Sequence, residues 1–417
     1  MRPNIKIDVP RLTGELERLA RFSDAEAPAV TRVLFTDQDL KARSYLRRLC
    51  ADAGLAVRED PAGNLFARWV GSEPHLPALG TGSHTDAIPF SGMYDGTVGV
   101  LGGLEAIRAL QQSGWQPRRS IELLLFTSEE PTRFGVGCVG SRLLSGSLAP
   151  EAAAALKDQQ GATFDDVRRG AGCRGELTEV RLRDGYYAAF VELHIEQGPL
   201  LERDGIPIGA VTAIAAPAAL RVRLEGEGGH AGAVLMPQRH DPLCAAAETV
   251  LAVEKAAKDS GRLDTVATTG ICQVHPGACN SIPSRVILEI DIRDTDLAAR
   301  DRAVAQIRQA IAQSTTRREL RAEVEILNAD PPATAAPAIV NAIQTACREL
   351  NLACQPMVSR AYHDALFMAR ICPTSMIFIP CRAGVSHRPD EYSSPEAIGH
   401  GVAVLALTLA ELDNAIA

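Results

Sequence analysis

A chain of 417 residues with 46% hydrophobic and 23% charged residues has the composition of a folded globular protein, long enough for two or three domains that each bury a core. It carries 43 Lys and Arg against 51 Asp and Glu, a formal net charge of −8, and no block of five basic residues. That balance argues against a nucleic-acid-binding surface, and no run of 18 uninterrupted apolar residues predicts a membrane span.

In chain order, apolar positions recur with helical period at Leu12, Leu16, Leu19 and Ala20, then at Leu40, Tyr45, Leu46 and Leu49, with Gly54 as the stop. The opening segment lacks the apolar core and cleavage site of a secretory leader. Residues 65–71, 78–84, 122–130 and 189–198 read as strands, and the Gly-rich stretch 97–114 as a helix between the second and third. This alternation predicts an α/β sheet that is largely parallel. A different block follows: strand 220–228, helix 241–261, strands 265–276 and 284–294, helix 300–315 and strand 323–328. Its β-α-β-β-α-β order is that of a ferredoxin-like unit. The Pro/Ala-rich run 330–338 leads back to a helix (339–350), an apolar strand (375–380) and a closing helix (395–413). The expected division is 1–212, an inserted 213–330, and 331–417. Ten cysteines with no CxxC pair are expected as thiols in a reducing compartment, which makes the cytoplasm the expected location.

Four clusters place His or carboxylate at the end of a predicted strand, where open α/β sheets build their sites. They are GSHTDAIPFSGMYDG (82–96), FTSEEPTRF (126–134), ELHIEQGP (192–199) and AGVSHRPDEY (383–392). His84 and Asp86, two apart on an extended backbone, face one side, so Asp86 can accept a hydrogen bond from the distal ring nitrogen of His84 and orient it as a ligand. The plainer alternative is a solvated loop with turn-forming acids. Glu129 and Glu130 stand side by side and repel unless a cation or proton is shared; alone they also read as two exposed acids at a turn. His194 alone could be a satisfied core histidine, and His387 a loop residue. Taken together, three His with Asp95 and a Glu make a plausible two-metal set, which suits zinc, manganese or cobalt and could activate water against a carbonyl.

These motifs, with GGHAG (228–232) and NSIPSRVILEIDIRD (280–294), resemble the M20-type metal-dependent amidohydrolases over nearly the whole chain. The resemblance implies an M20 peptidase-like catalytic domain and an inserted dimerisation domain that acts as a lid. It implies His84, Asp95 and His194 on one metal and Asp95, Glu130 and His387 on the other, with Asp95 bridging and manganese as the metal. Glu129 would be the general base. His230 would reach the active site of a second subunit and steady the oxyanion, which implies a homodimer. Gln197, Asn280 and Arg293 would contact substrate, with Arg293 forking onto its carboxylate; a strand-edge ion pair with Asp291 or Asp294 is the alternative for Arg293.

Within the family, SRAYHDALFMA (359–369), GGHAGAVLMP (228–237) and the segment around SHRPDEY look like the ureidoglycolate amidohydrolases. The resemblance implies Tyr362 and His363 as contacts for a small anionic ureido substrate, unless Tyr362 merely packs beneath the site. The expected reaction is hydrolysis of the ureido carbonyl of ureidoglycolate. Allantoate or N-carbamoyl-L-amino-acid hydrolysis is the alternative, and a binding protein that kept the fold without activity is the non-enzyme reading. No nucleic-acid or membrane partner is expected.

Overall fold

The computed structural model describes residues 3–416, so Met1, Arg2 and Ala417, the outermost bounds of the expected segments, lie outside the described residues. The chain divides into two compact units. The first runs to Thr212 and resumes with 334–359 and from His363 onward; the second comprises Ala213–Ala333 and Arg360–Tyr362.

After helices Val9–Ala20 and Asp37–Asp52, the first unit builds strands β1 (Ala56–Glu59), β2 (Leu65–Trp69) and β3 (Ala78–Ser83), helix α1 (Thr97–Gln112), and strands β4 (Ile121–Leu125), β5 (Tyr187–Ile195) and β6 (Ile208–Ile214). The second unit supplies β7 (Ala216–Glu225), α2 (Pro242–Lys258), β8 (Val266–His275), β9 (Arg285–Asp294), α3 (Leu297–Arg317) and β10 (Arg321–Ala329). The chain then returns to the first with α4 (Pro337–Glu349), β11 (Thr374–Ile379) and α5 (Pro395–Ala415).

The large sheet contains the order β6-β11-β5-β3-β4-β2-β1. Its centre is parallel, β11 with β5, β5 with β3 and β3 with β4. Its flanks are antiparallel, β4 with β2, β2 with β1 and β11 with β6. The sheet is therefore mixed, and the largely parallel sheet expected from the sequence holds only for the four central strands. The reason on one flank is a tight hairpin: the Asp60 carboxylate accepts the backbone N–H groups of Ala62 and Asn64, and Gly63 turns at φ 92°. A connection that short can join only antiparallel neighbours. Asp60 is buried, and burial pushes its carboxyl up to about 6 against those hydrogen bonds.

The central strands are covered by α1 and α5, whose apolar residues form one continuous core with Leu79, Leu123, Val191, Leu193, Ile377 and Ile379. Gly99 lets α1 lie close on the sheet, since a Cβ there would stand 2.4 Å from the Leu193 carbonyl oxygen. Helix α5 is long and apolar enough to cross a membrane, but 72% of its apolar window is buried inside the protein. It is a core helix.

In the second unit the strands run β8-β9-β7-β10, all antiparallel. Alternate residues Val286, Leu288, Ile290 and Ile292 of β9 point to one face with Leu220, Val222 and Leu224 of β7. They pack under Ala245 and Val253 of α2 and Ile307 and Ile311 of α3. The helices are also tied by charge. Glu248 of α2 accepts from Arg317, from Arg318 at 2.6 Å and from the Ser314 hydroxyl. Hydrogen bonds from Arg318 and Ser314 hold its carboxyl down at about 2. A carboxyl depressed in the folded state stabilises above its unfolded value near 4.5 and loses that contribution as pH falls toward the folded value. Glu248→Gln is therefore expected to lower the urea midpoint at pH 7, by an equivalent of about 1 kcal/mol or less because the group is a third exposed, and to have a smaller effect at pH 4. Paired urea titrations at the two pH values measure it.

Candidate active site

Because β11, β5, β3 and β4 are parallel neighbours, their carboxyl ends open on one edge of the sheet, where loops can project polar groups together. His84 and Asp86 follow β3, Asp95 stands just before α1, Glu129 and Glu130 follow β4, His194 lies near the end of β5, and His387 follows β11. The backbone turns sharply to aim them, with positive φ at Ser128 (56°), Gln197 (55°) and His387 (59°). Gly96 (φ 65°) must be glycine, because a Cβ there would fall 2.4 Å from His84 Nε2.

Asp95 is the hub. Its Oδ1 lies 3.2 Å from His194 Nε2 and 3.9 Å from His84 Nε2, and its Oδ2 lies 3.0 Å from His387 Nε2. His387 Nε2 is also 3.3 Å from Glu130 Oε1. Two sets of donor atoms converge, His84 with Asp95 and His194, and Asp95 with Glu130 and His387, each within 4.8 Å of one another. Glu192, His194 and His363 make a third cluster of the same size beneath them. Glu129 Oε2 stands 3.7 Å from His84 Nε2.

The imidazoles are set for cations. His84 Nδ1 faces the Asp86 carbonyl oxygen at 3.0 Å, and His194 Nδ1 faces the Ile195 carbonyl oxygen at 2.8 Å. A carbonyl can only accept, so each ring keeps its proton on Nδ1 and turns the Nε2 lone pair inward, as a metal ligand requires. The donor set of neutral imidazoles and carboxylates therefore fits divalent metal ions.

The same packing shapes the charges. Burial opposes ionisation of Asp95, but the closely placed His194 and His387 rings outweigh it and hold its carboxyl well below the usual range. Burial, then the nearby Glu130, Asp364 and Asp95 carboxylates, pushes Glu129 well above it against the pull of His84. For His84 burial works the other way, and the carboxylates of Glu129, Asp86, Asp95 and Glu130 raise it to about 10. The pocket attracts positive charge.

Several side chains sit differently from the sequence expectation. Asp86 orients His84 through its main-chain carbonyl; its carboxylate is 3.8 Å from the ring and instead accepts the backbone N–H groups of Glu130 (3.0 Å) and Glu129 (3.4 Å). It thereby positions both glutamates. His363, expected to touch substrate, is 1% exposed, with Nε2 3.0 Å from the Ser359 hydroxyl and its ring edge against His194 at 4.5 Å. It buttresses the His194 ring. Gln197 donates from Nε2 to Asp95 Oδ1 (3.1 Å) and to Ser386 Oγ (3.2 Å).

The second unit, by itself, holds the remaining candidates. His230 is exposed, with Nδ1 accepting the Gly232 N–H at 3.1 Å, and lies beside Asn280, whose carbonyl accepts the Ala231 N–H at 2.9 Å. The guanidinium of Arg293, expected to fork onto a substrate carboxylate, forks onto Asp291 (2.7 and 3.2 Å) and donates to the Arg360 carbonyl. Tyr362 donates its hydroxyl to Asp330 at 2.7 Å.

Sequence reasoning passed over several residues around the site. Buried Glu192 accepts from the Ser83 hydroxyl (2.6 Å) and the Ala365 N–H (3.1 Å); its spacing of two from His194 on one strand was the available signal. Cys138, at φ 56°, places Sγ 3.7 Å from Glu129 Oε1. Asp364 accepts from Ser141 and leaves Oδ2 buried without a partner. Glu391 lay inside one of the four clusters and has no equivalent signal of its own.

Residues 80–411 match the model of peptidase family M20/M25/M40. Among curated proteins, the chain is 54% identical to a ureidoglycolate hydrolase of Arabidopsis thaliana over 98% of this chain and 87% of that one. It is 55% identical to a ureidoglycolate hydrolase of Oryza sativa subsp. japonica over 97% and 85%. Among solved structures, AtUAH in complex with glyoxylate superposes with a TM-score of 0.90 at 54% identity, covering 98% of this chain and 99% of that chain.

Proposed function

The chain belongs to the peptidase M20/M25/M40 family, and on that footing we propose that it hydrolyses the ureido carbonyl of ureidoglycolate to glyoxylate, ammonia and CO2. The observation that carries the reading is an intact donor set around Asp95, with Glu129 beside it, in a chain 54% identical to a ureidoglycolate hydrolase.

His84, Asp95 and His194 would hold one divalent cation, and Asp95, Glu130 and His387 a second, both manganese in our reading with zinc or cobalt as alternatives. When bound, such a pair acidifies water and polarises a carbonyl oxygen. Glu129 accepts the proton of the attacking water and returns it to the departing nitrogen, a task suited to a carboxyl whose buried setting raises its affinity for protons. Asp86 keeps Glu129 and Glu130 in register by holding their peptide N–H groups. Ammonia leaves, the remaining carbamate loses CO2, and the hydroxyglycine left behind decays to glyoxylate and a second ammonia.

The second unit serves in this reading as an inserted ferredoxin-like dimerisation domain, and His230 of one subunit stabilises the oxyanion in the other while Gln197, Asn280, Arg293 and Tyr362 contact the substrate. Its β-α-β-β-α-β order supports the first part. Pairing is supported by the edge strand β8, with Val266 and Ile271 exposed, and by Leu251 of α2 and Leu263, which are 65% and 88% exposed. A cytoplasmic location is in keeping with ten cysteines held as thiols.

Purified protein supplied with Mn2+ is expected to release glyoxylate and ammonia from ureidoglycolate, and to act far less well on allantoate and N-carbamoyl-L-amino acids. Activity on either of the latter without glyoxylate release from ureidoglycolate would overturn the assignment.

A further inference from the structure

Glu391 takes no part in the reaction described above, yet it is 4% exposed and fully engaged. Its Oε1 accepts the backbone N–H groups of Tyr94 (2.9 Å) and Asp95 (3.0 Å), and its Oε2 accepts the Ser386 hydroxyl (2.8 Å). Ser386 Oγ in turn accepts Gln197 Nε2, which also donates to Asp95 Oδ1. The contacts close a ring that begins at the Asp95 main chain and returns to the Asp95 side chain. Ser386 immediately precedes His387, so the ring joins the loop that carries Asp95 to the loop that carries His387. The fit leaves no slack, because a Cβ at Gly92 would stand 2.3 Å from Glu391 Cβ.

We infer that Glu391 is a positioning residue for the cation site made by Asp95, Glu130 and His387, clamping two loops from distant parts of the chain so that their donor atoms meet. A carboxylate suits the task, since both of its oxygens accept and each bond to it is charge-assisted. Glutamine can still accept both backbone N–H groups through its single carbonyl oxygen, but its amide nitrogen cannot accept from Ser386. That substitution therefore releases the His387 side of the clamp and leaves the Asp95 side. The rings of His84 and His194 draw nothing from the 384–391 loop and keep their own orientations, and the backbone N–H bonds that glutamine retains hold Asp95, which both sites share, in place.

The inference rests on the proposed ligand roles, and its test does not use substrate. Chelator-stripped wild-type protein is titrated with Mn2+ in a calorimeter beside Glu391→Gln and Ser386→Ala. The second variant removes one leg of the ring and leaves the Glu391 side chain itself unchanged. Two sites are expected in wild type, and in both variants one is expected to keep its affinity while the other weakens about 10–100-fold. At saturating Mn2+ the variants should recover kcat, because added cation compensates for poor positioning. Equal weakening of both sites, or of neither, would overturn the role of Glu391. Wild-type protein that binds no Mn2+ would remove the ligand assignment itself and the inference with it, whereas normal binding without ureidoglycolate turnover would remove only the substrate.

Discussion

Replacing Glu129 by Gln is expected to lower kcat by about 10²–10⁴-fold, the usual worth of a positioned proton acceptor, while the protein binds as much Mn2+ as wild type. The substitution keeps the size of the side chain and removes only its ability to take a proton. Its backbone would stay where it is, since the Asp86 carboxylate holds the peptide N–H and the Cys138 N–H donates to the Glu129 carbonyl. The two donor sets do not include Glu129, so cation stoichiometry separates a lost base from a lost site. Single-turnover kinetics at saturating ureidoglycolate, with metal analysis of the same sample, make the measurement. A variant within tenfold of wild type would place the base elsewhere.

Asp95→Asn is expected to do the opposite, to lose cation first and activity as a consequence. The two carboxylate oxygens face different partners, Oδ1 the rings of His84 and His194 and Oδ2 that of His387. An amide offers one oxygen and one NH2, so one of the two sets meets a donor where it needs an acceptor. Mn2+ stoichiometry should fall to one or none, and activity by on the order of 10²–10³ or more, as expected when the groups that stabilise developing charge are removed. The buried surroundings that favour positive charge remain, so thermal unfolding of the cation-free variant distinguishes a folded protein with a defective site from a collapsed one. Retention of both cations would show that Asp95 does not bridge.

Much of the site was legible because four motifs each fall at the carboxyl end of a strand, and strand ends of one sheet are neighbours in space. Period and spacing tell which side of a strand a residue faces. They do not tell which atom of that residue makes the contact, and this is where the reading of Asp86 departs from the structure: its main-chain carbonyl, at 3.0 Å, lies nearer the ring nitrogen than its carboxylate, at 3.8 Å, and wins it. His363 shows a second limit. The resemblance implies a substrate contact there, while the space behind His194 that buries it exists only after the strands assemble. Arg293 and Asp291 are two apart on one strand, so the ion pair offered as the alternative follows directly from strand geometry. The outermost strand of one antiparallel flank escaped because residues 56–59 are mostly exposed and carry no apolar alternation to mark a strand.

The position of β11 bears on how the molecule is made. It lies between β5 and β6 in the sheet although the whole second unit is synthesised before it. A ribosome-bound chain that has extended through residue 330 holds β5 and β6 without the strand that separates them, leaving two adhesive edges that invite either premature pairing with each other or capture by a chaperone. The same late strand delivers His387. A nascent chain that has not reached His387 therefore cannot assemble the set of Asp95, Glu130 and His387, and closure of the sheet becomes the event that completes it.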